Sequence, residues 1–151
     1  MVLDLRRNIQ QRRGFTLVEI LVVVVILGIL AAVVIPRFGS ATTEASTNAT
    51  YYELQKVRRA IDVYMARNEN QVPEVTTGFA TWGALVGNGE YLKSNPYNRY
   101  ITTTNEGRVY AAADAAPDTV YQNNYGWIFN TATGELWAGS FDDEDNPLPK
   151  P

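Results

Sequence analysis

Arg12-Arg13-Gly14-Phe15-Thr16-Leu17-Val18-Glu19-Ile20 opens a run in which residues 20–35 carry neither a charge nor a hydroxyl, and Pro36-Arg37 closes it. Counted from Phe15, the apolar segment is twenty-one residues long, broken only by Thr16 and Glu19. At about 1.5 Å per residue this is roughly 31 Å of helix, enough to cross the hydrocarbon core of a bilayer. A lone carboxylate in such a span is costly and marks a functional candidate whose partner should be named. Two partners are readable. Thr16-x-x-Glu19 fits a capping box, in which the two side chains satisfy orphan N–H groups at a helix start. Alternatively, a cut between Gly14 and Phe15 creates an α-amino group four residues before Glu19, largely cationic at neutral pH.

The stretch from Arg13 to Glu19 resembles the leader junction of type IV prepilins and type II secretion pseudopilins. The resemblance implies that a prepilin peptidase cuts after Gly14 and N-methylates Phe15, and that Glu19, the fifth residue of the product, serves assembly. Gly28 and Pro36 then fall where these helices often carry Gly and Pro. The match is strong over residues 12–36, and beyond them only the layout is similar. An ordinary secretory signal cut near Gly39-Ser40-Ala41 fits less well, because such signals carry 7–15 apolar residues and this run is longer. A plain membrane anchor leaves the Gly14–Phe15 junction and Glu19 unexplained.

Composition narrows the function. The chain has 151 residues, 13 basic and 16 acidic, with no cysteine and no histidine. Catalysis by Cys or His and zinc sites of the usual types are excluded. Removing the four arginines and one aspartate of residues 1–14 leaves nine basic and fifteen acidic side chains, a net charge of −6. Such a product argues against a nucleic-acid partner. The basic cluster precedes the span, so the N-terminus is expected to be cytoplasmic and the bulk of the chain outside. The 115 residues after Pro36 suffice for one small folded unit.

Pro36 lacks an N–H and is expected to kink or open the helix, most readily between Gly28 and Pro36. The resemblance implies loss of helicity there in assembled filaments. Leu54, Val57, Ile61 and Tyr64 recur at helical spacing, with Tyr51 and Met65 widening the face. Glu53, Lys56, Arg59 and Asp62 offer i,i+3 pairs on the other side. This helix is expected to stop near residues 68–70, before Pro73. Residues 72–98 are loop-rich, with a short helical turn at 81–86 and Tyr91-Leu92 as a buried anchor. Strands are expected at 108–113, 125–129 and 135–138, with a weaker one at 119–121. Asn130 to Gly134 supplies the turn of a terminal hairpin.

The tail runs Asp142-Asp143-Glu144-Asp145-Asn146 and ends rich in proline. A solvated acidic tail is one reading. The other is a calcium site at Asp142, Asp143 and Asp145, implied by the resemblance because major pseudopilins hold calcium in a C-terminal loop; oxygen ligands suit that ion. The run does not fit an EF-hand.

The expected fold is α+β: a long N-terminal helix, transmembrane in its first half and amphipathic in its second, packed on a small antiparallel sheet. Its divisions are a leader at 1–14, a transmembrane and assembly helix at 15–36, an amphipathic continuation at 37–70, a loop-rich region with the sheet at 71–141, and the tail at 142–151. The resemblance implies a structural filament subunit, the major pseudopilin of a type II protein secretion system, with a type IV pilus subunit for adhesion, motility or DNA uptake as the alternative. No enzyme is expected; a membrane-anchored hydrolase built on a carboxylate pair is the reading from another class. Implied partners are further copies of the chain through the N-terminal helix, a prepilin peptidase, minor pseudopilins and an inner-membrane assembly platform. The implied location is the bacterial inner membrane, with a single span and a periplasmic C-terminal part.

Overall fold

The computed structural model describes residues 14–101 and 103–151, without the side chains at 33 and 35–40. Apart from Gly14, the leader expected at 1–14 lies outside the described residues. The chain divides into two compact units, Met1–Ser40 and Ala41–Pro151.

Helix α1 spans Leu17–Arg67 and contributes to both units. In the first unit every described side chain of residues 17–32 is exposed. Among the described residues no helix is long and apolar enough to cross a membrane. The described apolar run at 17–32 measures about 24 Å, short of the roughly 30 Å core of a bilayer. The helical assignment includes Gly28 and Pro36. The opening expected between them is therefore not seen in the single chain.

In the second unit α1 has one buried stripe. Thr50, Leu54 and Val57 are fully buried, and Ile61 nearly so, at spacings of four, three and four. Tyr51, expected on this face, is 48% exposed. The stripe continues N-terminally from Leu54 to Thr50, a position whose hydroxyl disguised it as polar surface. Glu53 and Lys56 form the expected i,i+3 pair at 2.6 Å. Asparagines end the helix. The Asn70 N–H donates to Met65 O at 2.8 Å, and Glu69 and Asn70 adopt positive φ, a conformation asparagine tolerates at a C-terminus.

Strands β1 (Gly78–Phe79), β2 (Arg108–Ala112), β3 (Trp127–Asn130) and β4 (Leu136–Ala138) form one sheet in that order. A short helix, α2 (Ala84–Gly87), precedes β2. β1 with β2 and β3 with β4 run antiparallel, but β2 and β3 are parallel. The sheet is mixed, which corrects the antiparallel expectation. Its cause is the connection at 113–126, long enough for the crossover that parallel neighbours require. That connection contains 119–121, which pair with no strand. Ser140 N–H donates to Asp118 Oδ2 at 2.7 Å, and Asn130 Nδ2 to Ala115 O at 3.0 Å, fastening the crossover to the hairpin.

The β3–β4 hairpin follows its turn chemistry. Asn130 Oδ1 accepts from the N–H groups of Ala132 and Thr133, and Gly134 takes φ +80°, where glycine has no Cβ penalty. All four β3 residues are buried. Trp82, Trp127, Phe129 and Phe141 pack with Leu54 and Val57 in one core, and burying each such side chain contributes about 1.5–3 kcal/mol. Trp82 and Trp127 meet edge to face at 6.2 Å. Leu92 is buried as expected, Tyr91 partly so.

Asn98 is the polar knot of this core and is fully buried. Its Oδ1 accepts from Thr50 Oγ1 at 3.1 Å and from Tyr100 N–H at 2.9 Å; its Nδ2 donates to Gly126 O at 3.0 Å and Gly139 O at 2.8 Å. One amide thus joins the helix, its own loop and the residues that flank the two hairpin strands, Gly126 before β3 and Gly139 after β4. A Cβ on Gly126 would collide with Glu106 O, and one on Gly139 with Tyr125 O, so the backbone here approaches too closely for any side chain.

Candidate functional site

The start of α1 carries the sequence-derived candidates. Thr16 N–H and Thr16 Oγ1 each donate to Glu19 Oε2 at 2.8 Å, and Glu19 N–H donates to Thr16 Oγ1 at 3.2 Å. This reciprocal arrangement is a capping box. In the uncut chain the Phe15 nitrogen is an amide, so Glu19 meets no ammonium there. Phe15 is 78% exposed and Leu17 83%. A Cβ added to Gly14 or Gly28 would meet nothing within 4 Å. Among the described residues, packing requires neither glycine. The side chain of Pro36 lies outside the described residues.

The acidic tail is folded, not free. Arg58 grips Asp145 with both ends of its guanidinium: Nη1 to Oδ2 at 2.5 Å and Nη2 to Oδ1 at 2.9 Å. The same group donates from Nε and Nη2 to Leu136 O at 3.0 and 2.8 Å. Asp142 Oδ1 accepts from the N–H groups of Glu144 and Asn146 at 3.0 and 2.8 Å. Phe141 bridges to Pro147, and Leu148 N–H donates to Ser140 O. Tyr100 OH donates to Leu148 O at 2.7 Å. Burial, with Tyr121 second, pushes the Tyr100 phenol up, which keeps it a donor at neutral pH.

Asp142, Asp143 and Asp145 are therefore not gathered as a ligand set. Among the described residues no group of three or more carboxylates is placed to hold a metal ion. Asp145 is neutralised by Arg58, Asp142 caps its own turn, and Asp143 is exposed. With Asp145 held by a guanidinium and the three carboxylates not converging on one point, these residues do not fit a calcium ion, which takes six to eight oxygen ligands. Arg58 and Asn98 are the residues that sequence reasoning missed. A guanidinium beside an apolar helix stripe is the one sequence signal that pointed to the first.

Residues 9–35 match the family model for the prokaryotic N-terminal methylation motif. Core protein G of the type II secretion system from Pseudomonas aeruginosa is 44% identical over 59 residues, 39% of this chain and 42% of that protein. Fimbrial protein EcpB of Eikenella corrodens is 36% identical over 56 residues, 37% of this chain and 35% of that protein. The chain thus spans less than half the length of these two relatives. No solved structure matches it. The type II secretion system core protein G of Escherichia coli is 30% identical over 125 residues, 74% of this chain and 86% of that protein. Identity sustained over that share of a relative reaches through the helix and well into the second unit, and it makes this chain a member of the type II secretion system core protein G family.

Proposed function

We propose that this chain is the major pseudopilin of a type II secretion system, a structural subunit that polymerises through its N-terminal helix. One observation carries the reading. The apolar side chains at 17–32 are exposed on every side of α1, while Ala41–Pro151 closes a core of its own. A helix apolar all round is stable only in lipid or among other helices. The reading gives it both, lipid before assembly and identical helices after.

Residues 15–36 span the inner membrane with the N-terminus cytoplasmic and the second unit periplasmic. A prepilin peptidase cuts between Gly14 and Phe15 and methylates the new amine. Among the described residues nothing crowds Gly14 or Gly28, which leaves room for the peptidase at Gly14 and for a neighbouring helix at Gly28. Pro36 allows the helix to open once packed in the filament. Glu19 exchanges its cap for the Phe15 amine of an incoming subunit, which sets the axial offset between copies. Minor pseudopilins and an inner-membrane assembly platform complete the machine. The role is structural and not enzymatic, in keeping with a chain that has neither His nor Cys.

The match to a fimbrial protein favours a second reading, a type IV pilus subunit. Deletion of the gene separates the two. Secreted proteins should accumulate in the periplasm and be released again when the wild-type chain is restored. Normal secretion together with lost surface motility, adhesion or DNA uptake would instead establish the pilus reading.

A further inference from the structure

The loop at 141–148 is closed by three elements at once through one side chain. Arg58 projects from α1, accepts nothing, and donates four hydrogen bonds: two to Asp145 in the loop and two to Leu136 O in β4. We propose that the Arg58 guanidinium stands where a divalent cation would close such a loop, so that this protein folds its C-terminal loop without calcium.

Several features support this. The pair is forked, the geometry in which arginine binds a carboxylate most strongly. It is also partly withdrawn from water, with 30% of the Arg58 side chain and 16% of Asp145 exposed. A calcium ion bound to Asp145 at its usual 2.3–2.6 Å would lie within about 5 Å of the guanidinium, where like charges repel. The rest of the loop is closed by contacts that use no cation: the Phe141–Pro147 bridge, the Asp142 turn and the Tyr100–Leu148 bond. Asp145 sits at φ +63°, a left-handed turn conformation that aspartate tolerates better than most residues with a Cβ.

The inference rests on the fold of Ala41–Pro151 and not on the filament reading, so its failure would leave that reading standing. The test is thermal unfolding of the full chain in detergent, with millimolar calcium chloride and with excess chelator. The wild type should melt at the same temperature in both. Arg58→Met and Asp145→Asn should each lower the melting temperature by about 10 °C, and the double variant should melt no lower than the weaker single. A wild-type melting temperature that rises with calcium would overturn the proposal, and this arm holds even if a variant fails to fold. Additive losses in the double variant would overturn it as well.

Discussion

Glu19 caps its helix, and one substitution separates that observed role from the proposed one in assembly. Its bonds to Thr16 are those of a helix cap, and Gln at this position keeps an oxygen that accepts them. Glutamine carries no charge, so it forms no pair with an ammonium in the low-dielectric interior of a packed filament. Glu19→Gln is therefore expected to leave cleavage and membrane insertion intact while cutting filament yield about tenfold or more when it is the only subunit supplied. Sheared filaments are weighed against processed protein in the membrane fraction. Full yield would reduce Glu19 to a cap. This residue was legible because a charge inside an apolar run has few explanations. Asn98 was not legible: its four partners come from residues 50, 100, 126 and 139, and no local pattern announces contacts so distant in sequence. The ion pair of Asp145 was not legible for a similar reason, since its partner Arg58 lies 87 positions away.

Periodicity made the helix legible as an element, and turn chemistry did the same for the terminal hairpin. Leu54, Val57 and Ile61 fall on the core side as their spacing requires, and Gly134 takes the positive φ its turn needs. Thr50 is buried and Tyr51 half exposed, because helical phase is a stronger guide than side-chain polarity. Leu54→Ala should destabilise the protein by about 2–5 kcal/mol, as for other buried leucines. Tyr51→Ala should stay within about 0.5 kcal/mol, as at ordinary surface sites. Urea unfolding of the two variants measures both; equal losses would contradict the observed face. The parallel pairing of β2 with β3 and the two-residue β1 were illegible. A strand of two residues has no period, and pairing direction depends on how the chain between the strands returns.

The whole molecule divides its labour between its two units. Ala41–Pro151 satisfies itself, with a closed aromatic core, a buried amide knot and a tail pinned by Arg58. The apolar side chains of residues 17–32 are exposed among the described residues, and that surface requires partners. That contrast was readable from hydropathy alone, and membership of the core protein G family accords with it. The mass of intact subunits recovered from sheared filaments tests the central claim most directly, because it reads assembly and processing together. The account predicts a chain that begins at Phe15 and carries one added methyl group on its terminal amine. Filaments built of chains that begin at Met1, or a cell that processes the chain and forms no filament containing it, would contradict the account.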